Sequence, residues 1–235
     1  MTQHPHHDFL AALWRHRLTA ILRTRDEGLA SEAMDAAVRG GIRLIEFTMT
    51  TPNALGLISR FSTRAGQVTL GGLERLVVGA GTVMTPDQAR AAVDAGASFL
   101  VSPITDLEVI ATANELGVPI LPGVHTPTEM VTAHRAGAPL VKLFPMPAGG
   151  PTWLRSALAP LPFVRVVPTN GVFLDNIAEW FEAGAWSVGM TTGLFEPADM
   201  AAGNFAAIES RAAALRKAAA AVERGPMPEA ADPFA

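Results

Sequence analysis

Residues Leu76–Val101 read LVVGAGTVMTPDQARAAVDAGASFLV. An apolar run, Leu76–Gly79, passes through small residues to Thr82 and into a polar turn. Thr85-Pro86-Asp87-Gln88 then carries the marks of a helix start: a capping threonine, proline at the first helical position and glutamine three residues after the cap. The alanine-rich stretch behind it stops at Gly96, and a second apolar run, Ser98–Val101, begins at once. This is one strand–helix–strand unit, and strands joined through a crossover helix run parallel.

The same pattern repeats on both sides. Short apolar strands are expected at Thr19–Leu22, Arg43–Thr48, Leu76–Gly79, Ser98–Val101, Val118–Leu121, Leu140–Phe144, Val164–Val167 and Trp186–Gly189. Glycines at Gly40/Gly41, Gly96, Gly117, Gly137 and Gly184 end the intervening helices. Thr126-Pro127-Thr128-Glu129 repeats the capping box, and Thr51-Pro52 opens a helix in the same way. Eight such units predict an α/β fold, an eight-stranded parallel β/α barrel, in preference to a doubly wound open sheet of five to seven strands. The segment DFLAALWRHR predicts an extra N-terminal helix, with Asp8 as its cap, over one end of the core. Residues 8–223 are expected to form one domain. Residues 1–7, which hold three histidines, and the proline-containing stretch 225–235 are expected to be loose ends, with a chelating histidine cluster as the alternative for the first.

Composition narrows the function. A net charge of −4 and a pI near 5.9 leave no electrostatic footprint for nucleic acid, so the expected partner is a small molecule. The chain has no cysteine, which removes disulfides and thiolate metal sites and permits a reducing compartment. No stretch resembles a signal peptide or a membrane span, so the expected setting is cytoplasmic, with no membrane partner. A metal-dependent reaction needs several His/Asp/Glu ligands at strand ends, where His125 stands as the one histidine; no metal is expected.

In a parallel barrel the chemistry sits at the C-terminal ends of the strands. Reading those ends gives Arg23, Glu46, Thr48, Thr82, Ser102, His125, Lys142, Thr169 and the pair Thr191/Thr192. Lys142, inside APLVKLFP (138–145), differs in kind from the rest. It and Lys217 are the two lysines among eighteen Lys+Arg residues, and lysine, unlike arginine, can lose its proton and attack a carbonyl. Two readings stand for it: a nucleophile, or a side chain that runs along the core with its ammonium at the barrel mouth. Glu46, inside LIEFTM, also has two: a proton-transfer group, or the ion-pair partner of Lys142 or an arginine.

Five stretches resemble one family. GGIRLIEFTMTTPNA, VGAGTVMTPDQARAAVDAGASFLVSP, ILPGVHTPTEM, VKLFPMPAGG and VVPTNGVFLDNIAEWFEAGAWSVG, in this order, are similar to the class I (Schiff-base) aldolases that cleave 2-keto-3-deoxy-6-phosphogluconate or 4-hydroxy-2-oxoglutarate. The resemblance implies the barrel, a homotrimer, no cofactor, and a 2-oxo acid and an aldehyde as partners. It implies Lys142 as the Schiff-base lysine and Glu46 as the proton shuttle. Thr82 falls where the family holds the pyruvyl group, and Phe144 where an aromatic packs beside the imine. Thr169, Gly171, Gly189, Thr191 and Thr192 fall on segments lining the far end of the substrate, phosphate included.

The chemistry agrees with those roles. Cleavage of the C3–C4 bond of a 2-oxo acid leaves charge on C3, and a protonated imine at C2 accepts it. An ordinary lysine is free amine in only about one molecule in a thousand at pH 7.5, so burial in an apolar strand is what the reaction needs. Three positions depart from the family. Thr50 stands where many members carry an arginine for the substrate carboxylate, and Arg23 is expected to supply that charge. Asn170 replaces a glycine of PTGG, and Gly189-Met190-Thr191-Thr192 replaces GGGS. The Thr191/Thr192 hydroxyls and the N-terminus of a short helix after them are expected to hold a phosphate. The rival classes are an aldolase for 4-hydroxy-2-oxoglutarate or another unphosphorylated acid, a barrel isomerase or synthase, and a non-catalytic binding barrel.

Overall fold

The computed structural model describes residues 6–67, 75–228 and 234. The elements alternate along the chain: α1 (His7–His16), β1 (Leu18–Leu22), α2 (Glu27–Arg39), β2 (Leu44–Thr48), α3 (Ala54–Gln67), β3 (Val77–Gly81), α4 (Pro86–Asp94), β4 (Phe99–Val101) and α5 (Leu107–Glu115). They continue as β5 (Ile120–Leu121), β6 (Gly123–Val124), α6 (Pro127–Arg135), β7 (Val141–Leu143), α7 (Gly150–Leu158), β8 (Val166–Pro168), α8 (Ile177–Glu182), β9 (Val188–Met190), α9 (Pro197–Ala202) and α10 (Phe205–Ala221). Six strands form a parallel sheet in the order β5-β4-β3-β2-β1-β9, and β6-β7-β8 form a second, also parallel.

All eight expected strands are found, most within a residue or two of the expected ends. A ninth arises at Pro122, which separates β5 from β6. Proline has no N–H to give a ladder, but its carbonyl still accepts from Lys142 N at 2.8 Å. On the other side, Thr169 bridges to Gly189 and so links the second sheet to β9.

Residues alternate across each strand. Leu44, Phe99, Val101, Leu121, Leu140 and Val167 face inward and form one apolar cluster with Phe9, Leu10 and Leu13 of α1. Ile45, Phe47, Val78, Ala80, Leu100 and Val166 belong to the larger cluster beneath the outer helices. The second face explains the alanine-rich helices, since Ala30, Ala33, Ala37, Ala89 and Ala92 are fully buried and let helix axes come close to the strands.

The expected helix ends hold: Gly96 takes φ +100° and Gly184 +102°, which glycine adopts without a Cβ clash. Three starts differ from expectation. Asp8 is not the cap of α1; it lies in the first turn, and His6 is at the cap position with no side-chain hydrogen bond. Thr126 and Glu129 form a full capping box, whereas Gln88 accepts from Met84 N rather than from the cap residue Thr85, because its reach passes the cap by one residue. Thr51 does not cap a helix either: α3 begins at Ala54, and the Thr51 hydroxyl meets Thr48 and Thr24 N instead.

At the chain ends, His4 and residues 229–233 lie outside the described residues. His7 opens α1, Met227 packs on the lower core, and Arg224 stacks on Trp14 with its centre 4.0 Å from the ring. No helix among the described residues is long and apolar enough to cross a membrane, and none of their His/Cys/Asp/Glu groups is arranged to hold a metal ion. Lys217 is exposed on α10.

Candidate active site

Lys142 sits at the centre of β7, paired with Gly123 on one side and Val167 on the other. Its side chain faces inward and only 7% of the residue is exposed. Glu46, on β2 opposite Gly79 and Ile21, is 1% exposed. No ion pair joins the two, and Glu46 Oε1 is buried with no hydrogen-bond partner. One oxygen of the Glu46 carboxyl is therefore buried without a hydrogen bond, close enough to Lys142 and Arg23 to feel their charge. Burial pushes the Glu46 carboxyl above the usual carboxylate range, with Lys142 and Arg23 opposing the shift. Burial also pushes the Lys142 amine below its ordinary value; Glu46 opposes this and Arg23 adds to it. Both groups are therefore driven toward their neutral forms.

Lys142 forms the floor of a 310 Å³ cavity open at the C-terminal ends of the strands. Arg23, Thr48, Phe144, Thr169, Asn170, Thr191 and Thr192, all picked from the sequence, line it with Lys142. Phe144, two residues after the lysine, faces the same side, with the ammonium nitrogen 5.3 Å from its ring centre. Thr82 stands just outside, joined to the cavity through the Arg23 Nη2 donor to its hydroxyl at 3.1 Å. Its φ of +59° is unusual for a β-branched residue, and such conformations gather at functional sites.

The other positions act at one remove. Thr50 does not line the cavity; its hydroxyl lies 3.1 Å from that of Thr48, which does. A Cβ on Gly189 would stand 2.5 Å from the Thr169 hydroxyl, so this glycine makes room for a neighbour. The Gly171 carbonyl accepts from Asn176, which fixes the turn after β8. Asn170 takes φ +72°, the left-handed conformation its short amide tolerates, and accepts from the Thr191 hydroxyl at 3.4 Å. The short helix expected after the Thr191/Thr192 pair is α9, separated from it by a turn. Leu194 N and Phe195 N turn back to the Thr191 carbonyl, and α9 begins only at Pro197, where Glu196 and Asp199 are engaged by Arg211.

Five contributors were missed in the sequence. Ile21, Leu22, Pro103 and Phe195 line the cavity, and Gly81 leaves space for Glu46. Pro103 and Gly81 lie in the VSP and GAGT stretches, a signal that was there to use; Phe195 has none.

The family model described as KDPG and KHG aldolase matches residues 11–211. The chain belongs to the KDPG and KHG aldolase family. Within this aldolase family, a 2-dehydro-3-deoxy-phosphogluconate aldolase of Pseudomonas aeruginosa is 39% identical over 147 residues, 62% of this chain and 63% of that one, just under two thirds of its length. A 2-dehydro-3-deoxy-6-phosphogalactonate aldolase of Escherichia coli is 34% identical over 76% of this chain and 84% of its own. The solved KDPG aldolase of Legionella pneumophila, with pyruvate captured as a covalent carbinolamine, superposes with a TM-score of 0.77 at 25% identity, covering 88% of this chain and 97% of that one. A captured carbinolamine is the adduct that precedes an imine, so the relative's chemistry is of the Schiff-base type.

Proposed function

We propose that this protein is a class I aldolase that reversibly cleaves a 2-keto-3-deoxy acid, with 2-keto-3-deoxy-6-phosphogluconate favoured, to pyruvate and an aldehyde. The observation that carries the reading is Lys142: an inward-facing, buried lysine held toward its free amine at the floor of an open cavity, with a buried, unpaired carboxyl on the strand opposite.

The steps follow from the chemistry. The Lys142 amine adds to the C2 carbonyl and, as a proton from solvent joins the departing hydroxyl, water leaves and a protonated imine forms. The positive charge of that imine favours ionisation of Glu46, and the carboxylate so formed takes the proton of the C4 hydroxyl; the C3–C4 bond breaks, its electrons move into the imine, and the aldehyde departs. Glu46, now an acid, returns its proton to C3 of the enamine. Water hydrolyses the imine, releasing pyruvate and the free lysine. Arg23, bonded to Thr82, is placed to meet the substrate carboxylate with a charge-assisted hydrogen bond. No step calls for a cofactor.

One observation favours a second reading, an unphosphorylated acid such as 4-hydroxy-2-oxoglutarate: Arg23 is the one guanidinium among the residues lining the cavity. The reading also includes an eight-stranded β/α barrel within a single domain, 8–223, supported by the short break at Pro122 and the Thr169–Gly189 bridge. It includes a homotrimer too. Met84, Ile104 and Leu107 expose apolar surface after β3 and β4 that a second copy could cover, and sedimentation at micromolar concentration tests this. A cytoplasmic setting, which a chain without cysteine permits, completes it.

The deciding experiment is incubation with pyruvate, reduction with borohydride and peptide mapping. A pyruvyl adduct on Lys142, lost together with activity in Lys142→Ala, is expected. An adduct confined to Lys217, or none, overturns the mechanism.

A further inference from the structure

Beneath the open cavity lies a second, smaller space of about 10 Å³, lined by Phe9 and Leu13 of α1, Thr19, Glu46, Phe99, Val101, Leu121 and Val167. Ile21, Lys142 and Thr169 line both spaces and so form the partition between them. Glu46 lines the lower one and not the upper. The carboxyl assigned to proton transfer therefore faces a chamber whose far wall is the N-terminal helix.

The fit of that helix is specific. The Phe9 ring packs against Phe99 with centroids 5.1 Å apart. The Leu10 carbonyl accepts from Trp186 Nε1 at 3.2 Å, and Trp14 packs on the same indole at 4.7 Å. Phe9 is 9% exposed and Leu13 1%, so of the two α1 residues lining the chamber Phe9 lies nearer the surface. A water needs at least ~10–15 Å³ and two or more polar partners. Partners are present in Glu46, Lys142, Thr19 and Thr169, and the room is at the lower limit of what one water needs.

We propose that α1 is a plug for the reaction centre, and that Phe9 is a positioning residue which keeps water from reaching Glu46 and Lys142 from below. The inference rests on the aldolase reading above. The charged groups lining the two spaces are Arg23, Glu46 and Lys142; α1 itself directs Asp8 into solvent, and His16 lies at its far end near Arg15, Arg43 and Arg216. No charge on the helix faces the pair, so exclusion of water is the means by which α1 acts on them.

Removing the Phe9 ring opens room for more than one water of about 30 Å³. Hydration favours the charged forms, raising the Lys142 pKa and lowering that of Glu46. The test is the pH dependence of pyruvate imine formation, read by borohydride trapping in Phe9→Ala and in the milder Phe9→Leu, each compared with the intact protein. In Phe9→Ala the acid limb should move up by about one pH unit, with trapping near neutral pH slowed roughly tenfold. Phe9→Leu, which keeps α1 docked, should move it less in the same direction; it decides the matter if Phe9→Ala does not fold. A folded variant with an unmoved limb, or with one uniform loss at every pH, overturns the proposal. Absence of any adduct in the intact protein overturns the aldolase reading instead.

Discussion

A Cβ on Gly81 would stand 1.7 Å from Oε1 of Glu46. The carboxyl of β2 occupies the volume that any other residue at this point of β3 would fill, so the glycine and the glutamate form one structural unit. Gly81→Ala should therefore push Glu46 out of place. The expected result is a turnover reduced by about 100-fold or more, the usual effect of losing a general acid–base, with the pyruvate adduct on Lys142 still forming. Steady-state rates and trapped-adduct mass check it; near-normal turnover would detach proton transfer from this position of the carboxyl.

Glu46→Gln tests the same group without steric change. The adduct should form while turnover falls by roughly 100-fold or more. A rate close to that of the intact enzyme would leave Glu46 as a packing residue.

Lys142→Met should stabilise the protein while ending activity. The folded state holds the amine below its ordinary pKa, so between the folded and unfolded values the unfolded chain binds more protons and stability rises with pH. The cost to the intact protein is thus present at neutral pH and disappears toward 10.5. Methionine fills a similar shape without a charge, and should raise Tm by at least about 2–4 °C at pH 7, what roughly 1 kcal/mol gives in a chain of this size. Thermal melts from pH 6 to 10 should show the gain shrinking as pH rises; a gain that grows would reverse the assigned direction.

Arg23→Met removes the guanidinium of the cavity. Loss of a charged hydrogen bond of about 1.5–3 kcal/mol corresponds to roughly a 10- to 150-fold lower kcat/KM. The loss should appear with pyruvate in enamine proton exchange, which lacks the aldehyde half. If only the phosphorylated substrate suffers, Arg23 serves the far end.

At that far end, Asn170, Thr191 and Thr192 offer an amide and two hydroxyls. If they hold a phosphate, the phosphorylated 2-keto-3-deoxy acid should exceed its unphosphorylated analogue in kcat/KM by at least about tenfold, or roughly 1.4 kcal/mol. Equal rates, or a preference for 4-hydroxy-2-oxoglutarate, would favour the second reading.

The order of strands and helices, the place of Lys142 inside an apolar strand and the capping of α6 could be read from the chain because each depends on local pattern: an apolar run, a cap beside its helix, a glycine before a strand. The same holds for the family, since KLFP and GAGT are contiguous words. What the sequence could not decide was contact between distant words. Whether Glu46 pairs with Lys142 depended on how β2 and β7 face each other across the interior, and the structure leaves the carboxyl unpaired. That Thr50 turns to Thr48, that Leu194 and Phe195 turn back to Thr191, and that Phe9 of α1 packs against Phe99 beside the space below Lys142 all depend on the packing of strands and helix. Local preference determined the elements; the burial of two ionisable groups in a shared apolar space, which sets their protonation, is a property of the assembled fold alone.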